Sequence, residues 1–251
     1  MTMKKAYFIS DAHLGANYLT DKRANEMRVV RFLNHIKDDA AELYLLGDIL
    51  DYWYEYKNVV PRGYTRFLGK LAELADSGVR IFWFTGNHDV WLFDYLANEI
   101  GLTVVKGATQ MQVLGKTFLL SHGDDVGHQK LSYRITRSIF HNRVCQWLYA
   151  GVHPRLTYPL ATSLSQHNRL SRSPEQEKNI TEVCCQHLKD FSIGYADSHR
   201  EVEHFVFGHI HLARQVKLDE SRDMTVLGDW IDQYTYASFD GKKVELQHFK
   251  E

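Results

Sequence analysis

Only three cysteines and four prolines occur among 251 residues. Cys145, Cys184 and Cys185 are an odd number, two are adjacent and none stands in a C-x-x-C spacing, which suggests neither a disulfide framework nor a thiolate zinc site. Proline this sparse, beside 44% hydrophobic and 24% charged residues, excludes a disordered or collagen-like chain and leaves enough core for a single domain over 1–251. Long apolar runs are missing too, since no window approaches the roughly 18 residues of a membrane-spanning helix. The opening MTMKKAYFIS meets Asp11 after an apolar stretch too short for a signal peptide, so a cytoplasmic location is expected.

Acid is absent from one long stretch. Residues 126–173 carry Lys130, Arg134, Arg137, Arg143, Arg155, Arg169 and Arg172 and no Asp or Glu, while the remainder has 23 basic against 31 acidic residues. The near-neutral total of −1 therefore conceals a basic segment in an acidic body, which points to an anionic partner met locally. Within the segment, Leu131, Ile135, Ile139 and Val144 space as one face and Lys130, Arg134, Arg137 and His141 as another. This spacing predicts a helical insertion lying over the main body.

What the rest of the chain does contain is a repeated grammar. KAYFISDAHLG, ELYLLGDILD, RIFWFTGNHD, KTFLLSHGDD and HFVFGHIHLA are apolar runs of strand length that end at once in Gly, Asp, Asn or His. Such runs read as strands buried on both faces. Helical periodicity over 22–38 and over 64–77, the latter ended by Gly78, separates some of them, so the expected class is α/β. Further on, VKLDESRDMTVLGDW and YTYASFDGKKVELQHF predict short strands and a hairpin turning at Asp240-Gly241.

Seven metal-ligating side chains stand at the strand ends: Asp11, His13, Asp48, Asn87, His122, His209 and His211. Strand C-termini and their loops gather at one edge of an α/β sheet, so residues remote in sequence can meet there. The D-x-H and H-x-H spacings would place alternate side chains on one side of an extended segment. Mixed carboxylate, imidazole and amide donors suit Mn²⁺, Fe²⁺ or Zn²⁺ rather than Ca²⁺, and seven exceed one tetrahedral site. Two divalent ions sharing a carboxylate are expected.

The ordered series DAH, GDILD, GNHD, HGD and GHIH, from residue 7 to about 214, resembles the calcineurin-like metallophosphoesterases. The resemblance implies a β-sandwich flanked by helices with a two-metal site at the sheet edge. It assigns Asp11, His13 and His211 with a bridging Asp48 to one ion, and Asn87, His122 and His209 with the same Asp48 to the other. His88 matches the family's non-ligand histidine, which stabilises charge or protonates the leaving oxygen, and Asp89 would orient it. Paired ions clamp phosphoryl oxygens and bring the pKa of a bound water toward about 7, so phosphate ester or anhydride hydrolysis is the reaction implied.

GDILDYW is similar to the GDLF-x-x-W pattern of the UDP-2,3-diacylglucosamine hydrolases of lipid A synthesis, and HGDDVG followed by a basic helical insertion resembles their lid. His88 stands where well-known members of that family have Arg in GNRD. The resemblance implies a Mn²⁺-dependent cleavage of a lipid-linked UDP-sugar to UMP and an acylated sugar phosphate, by an enzyme peripherally associated with the cytosolic face of the inner membrane. The insertion would rest on anionic lipid or cover acyl chains; alternatively Leu131, Ile135 and Ile139 are core and the arginines a solvated face. Arg134, Arg137, Arg169, Arg172 and Lys178 are expected to contact the substrate, and Trp53 either walls its pocket or packs. A soluble nucleotide, another phosphodiester or DNA is the alternative substrate, and a non-catalytic scaffold the alternative class. Nucleic acid is not the expected partner.

Overall fold

The structure is a computed structural model that describes residues 4–127, 131–159, 161, 163 and 174–250. Six strands, β1 (Lys5–Ile9), β2 (Ala40–Leu46), β3 (Arg80–Phe84), β4 (Thr103–Val105), β10 (Thr235–Phe239) and β11 (Val244–His248), form one sheet in the order β11-β10-β1-β2-β3-β4. It is parallel from β1 to β4, and β10 and β11 add an antiparallel edge. The second sheet has the order β5-β6-β7-β9-β8, from β5 (Thr109–Val113), β6 (Lys116–Ser121), β7 (His204–Phe207), β8 (Ala213–Lys217) and β9 (Asp223–Leu227). Its three central strands are parallel.

The two sheets pack face to face, as a sandwich must when each strand is apolar on both sides. Phe8, Tyr44, Phe84, Phe118, Val206 and Phe239 fill the space between them. Phe8 stacks on Tyr44 at 4.9 Å and on Phe118 at 5.7 Å between ring centroids. The outer face of the first sheet is covered by α1 (Lys22–Ile36) and α2 (Thr65–Asp76), with α3 (Tyr95–Ile100) beside them. α1 starts where the Asp21 carboxylate accepts from Ala24 N at 2.8 Å, and it buries Val29, Val30, Phe32, Leu33 and Ile36 as one stripe. α2 buries Phe67, Leu71 and Leu74 and stops at Gly78, as its sequence predicts.

The long helix α6 (Pro174–Ser198) covers the outer face of the second sheet. Its deeply buried positions include Cys185, Leu188, Ser192 and Ala196, a narrow line of mostly small residues with little hydrophobic contrast. That is why periodicity does not reveal it.

The basic insertion contains α4 (Leu131–His141), α5 (Arg143–Ala150) and a further helical segment over 154–159. The continuous face expected from Leu131 to Val144 is broken at Asn142, whose side chain accepts from Val144 N and Cys145 N at 2.9 and 3.1 Å and so starts a new helix. Neither helix buries a residue. Leu131 is 70% exposed and Trp147 73%, and Ile135, Ile139, Val144 and Leu148 are exposed as well, which eliminates the reading of Leu131, Ile135 and Ile139 as core. Lys130, Arg169 and Arg172 lie outside the described residues.

Candidate metal centre

The centre forms where the C-terminal ends of five parallel strands from both sheets meet. Asp11 and His13 follow β1, Asp48 follows β2, Asn87 follows β3, His122 follows β6, and His209 and His211 follow β7. Asp11, His13 and His211 offer ligand atoms within 4.8 Å of one another, and Asp48, His122 and His209 do the same. His211 Nε2 lies 3.3 Å from Asp11 Oδ1 and 3.3 Å from His13 Nε2. His122 Nε2 lies 3.2 Å from Asp48 Oδ2 and 3.2 Å from His209 Nδ1. The backbone amides of His209 and His88 donate to Asp11 Oδ2 and Asp48 Oδ1, each at 2.9 Å, the first tying loops of different sheets together and the second tying the neighbouring loops after β2 and β3.

The convergence has a different backbone origin from the extended zigzag that D-x-H and H-x-H suggest. Asp11, His13, Asp48, His209 and His211 have φ of 53°, 42°, 52°, 70° and 49°. Left-handed backbone at a non-glycine residue costs on the order of 1 kcal/mol, and such strain collects at functional sites. Two glycines bring the loops within reach. A Cβ on Gly86 would overlap the Asp48 carboxylate, and one on Gly47 would meet the His122 ring at 2.7 Å.

The donor set fits divalent cations. Asp11 Oδ1 and Asn87 Oδ1 are buried without a hydrogen-bond partner, a condition that is costly unless something positive satisfies them. Two pairs of imidazole nitrogens face each other at 3.2–3.3 Å, close enough for both rings of a pair to turn a nitrogen toward one cation. Partners behind the rings fix which nitrogen faces inward: His122 Nδ1 donates to Leu46 O at 2.8 Å, and His13 Nδ1 to Asp51 Oδ1 at 3.2 Å, so each ring turns its Nε2 to the centre. Asp229 Oδ2 stands 3.5 Å behind His211 Nδ1.

Electrostatics follow from this crowding. Burial opposes charge on Asp48, yet the His122, His88 and His13 rings around it outweigh burial and hold its carboxyl well below the usual range. Burial likewise opposes charge on His122, and Asp48 outweighs it and raises the imidazole. His209 is pushed down to about 4 by burial and by neighbouring His122. For Asp229, burial is overcome by His211 and by the amides of Ile231 and Asp232, which keep the carboxyl low.

His88 sits at the mouth, its Nε2 3.9 Å from Asp48 Oδ2. The carboxylate expected to orient it is elsewhere. Asp89 is 0% exposed and accepts from the amides of Gly86 and Ile49 at 2.7 and 2.9 Å and from Trp83 Nε1 at 3.1 Å, so it shapes the loop carrying Asp48. Burial and the adjacent Asp48 push it up to about 6. Asp51 takes the orienting position: its carbonyl accepts from His88 Nδ1 at 3.1 Å and its carboxylate lies 3.5 Å from the same nitrogen.

A cavity of about 730 Å³ leads from Asn87, His88 and Asp51 under the insertion, lined by Trp91, Ile139 and Phe140 among others. Its roof hangs on aromatic side chains of the body. Trp91 Nε1 donates to Phe140 O at 3.0 Å, Tyr54 Oη to Gln146 O at 2.7 Å, and Tyr52 and Tyr149 share a hydrogen bond of 2.9 Å. Trp53 is not part of it. The indole is wholly buried in the core, donating to Glu55 Oε1 at 3.1 Å. Of the expected substrate contacts, Arg137 lines the cavity, whereas Arg134 is exposed and does not line it, and Lys178 is exposed on α6. Asp51, Asp229, Trp91, Tyr133 and Asp124 are the site residues that motif reading missed.

The calcineurin-like phosphoesterase profile matches residues 4–213. A UDP-2,3-diacylglucosamine hydrolase of Porphyromonas gingivalis is 40% identical over 98% of this chain and 98% of its own. Proteins of the same name from Edwardsiella ictaluri and Actinobacillus succinogenes are each 27% identical, over 95% and 91% of this chain and 90% and 92% of theirs. The matched span contains every strand end that contributes to the centre, and the chain belongs to the calcineurin-like phosphoesterases.

Proposed function

We propose that this chain hydrolyses the pyrophosphate of UDP-2,3-diacylglucosamine, giving UMP and 2,3-diacylglucosamine 1-phosphate. The observation that carries the reading is the cavity of about 730 Å³, which joins His88 and Asn87 to apolar lid residues. A polar reaction centre opening directly into an apolar chamber suits an anionic head on acyl chains, and the hydrolase of P. gingivalis aligns along both parts.

Asp11, His13 and His211 with Asp48, and Asn87, His122 and His209 with Asp48, would hold two divalent ions, Mn²⁺ in our reading, with Fe²⁺ or Zn²⁺ compatible with the same donors. When bound, these ions polarise the phosphoryl group and acidify the attacking water. Asp51 holds Nδ1 of His88, which leaves Nε2 to stabilise phosphoryl charge or pass a proton to the leaving oxygen. Trp91, Ile139 and Phe140 exclude water and accommodate acyl chain. No helix among the described residues is long and apolar enough to cross a membrane. Exposed Leu131, Trp147 and Leu148, beside exposed Arg134 and Arg143, would instead rest on an anionic surface, the cytosolic face of the inner membrane.

The test is Mn²⁺-loaded protein assayed on detergent-dispersed UDP-2,3-diacylglucosamine, ADP-ribose, a dinucleotide and single-stranded DNA. The lipid is expected to be cleaved at least about 100-fold faster than the others, a gap of roughly 3 kcal/mol in transition-state binding. Comparable rates on a soluble nucleotide or DNA would defeat the lipid assignment.

A further inference from the structure

Asp124 follows His122 by two residues and stands where the metal centre meets the lid. It is 7% exposed. Its Oδ2 accepts a hydrogen bond from Tyr133 Oη at 2.8 Å and lies 3.4 Å from Arg137 Nε. Asp125 Oδ2 stands 3.8 Å from Arg137 Nη2 and is itself fixed by the Ala108 amide at 2.8 Å, so this second acid is anchored to the β-sandwich. Tyr133 and Arg137 are four residues apart on α4 and share one face.

Both side chains line the cavity, together with Asn87 and His88. Arg137 is the one Lys or Arg among the described residues lining it. The other lid arginine on this helix, Arg134, is exposed and outside. A guanidinium has five N–H donors in a planar fork, and two loose contacts at 3.4 and 3.8 Å do not exhaust them. An anion that extends from the metal ligands into this chamber, whose lining also carries the carboxylates of Asp51 and Asp124, finds its attraction in one arginine and one phenol, both aimed by the same buried carboxylate.

We propose that Asp124, with Asp125 behind it, is a positioning residue that holds Tyr133 and Arg137 to grip the second phosphate of a diphosphate whose first phosphate lies at the metal ligands. This rests on the phosphohydrolase reading and adds a specificity element to it: diphosphates are held at two points and monophosphates at one. The acids also orient the arginine before substrate arrives, which reduces the freedom it loses on binding.

Calorimetric titration of the Mn²⁺-loaded protein with methylenediphosphonate and with inorganic phosphate tests the assignment without turnover. The wild type is expected to bind the diphosphonate more tightly than phosphate. Arg137→Gln and Asp124→Asn should each weaken diphosphonate binding about tenfold and phosphate binding less than about twofold. Asp124→Asn should add nothing further in an Arg137→Gln background, and Arg137→Lys should recover part of the loss. Equal losses on the two anions, or none on either, would overturn the proposal. Arg137→Gln lies on a helix without buried residues, so it decides the matter even if Asp124→Asn does not fold. A wild type that shows this contrast but does not cleave UDP-2,3-diacylglucosamine would refute the substrate alone.

Discussion

The metal centre and the lid are built by opposite means. Around the centre, Asp11, His13, Asp48 and His122 are almost wholly buried, and side-chain and backbone hydrogen bonds tie loops from both sheets to one another. The lid buries no residue of α4 or α5 and is held by a few side chains of the body, aromatic ones reaching up to it and Asp124 and Asp125 against Tyr133 and Arg137. The difference teaches a division of labour. Reaction chemistry is placed where geometry is over-determined, and substrate selection where an element can shift with little loss of core contact.

Substitutions can break that contrast or sharpen it. The largest effect belongs to Asp48→Ala, which should abolish turnover and metal retention together, read by elemental analysis beside rate; a variant that keeps its full metal complement would contradict the bridging role. His88→Ala should keep metals bound and lower the rate about 10²- to 10⁴-fold. Asp51→Asn removes a partner of both His13 and His88, and a loss of about 10- to 100-fold is expected, with weaker metal affinity as a second sign. The smallest effect lies on the lid. Arg134→Gln should weaken sedimentation with anionic vesicles by about 1 kcal/mol and leave hydrolysis of bis-p-nitrophenyl phosphate as it was. Loss of that small-substrate activity would place Arg134 in the reaction centre and erase the distinction between the two regions.

The centre was legible because its chemistry is concentrated at strand ends, five short motifs each closing an apolar run. Which neighbour serves which ring was not. Asp51 and Asp89 both lie close in sequence to the GD and GNHD motifs, and only the fold shows Asp89 turned into its own loop and Asp51 turned to His88. Trp53 and Trp91 are a similar pair, one sealed in the core and the other supporting the lid. Asp229 stands next to His211 because β9 and β7 are paired, a relation that no spacing encodes. The lid helices were foreseen from their amphipathic pattern, but their exposure depends on what covers them, which pattern alone does not say.

The glycines at 47 and 86 carry a consequence for how such a protein can change over time. With an added methyl at either position driven into a ligand or its ring, the reaction centre admits almost no stepwise variation. Novelty in what the enzyme accepts must therefore be found in the helices above, where replacing one side chain disturbs few others. Laboratory evolution toward new phosphorylated lipids should concentrate its libraries there and leave the strand ends untouched.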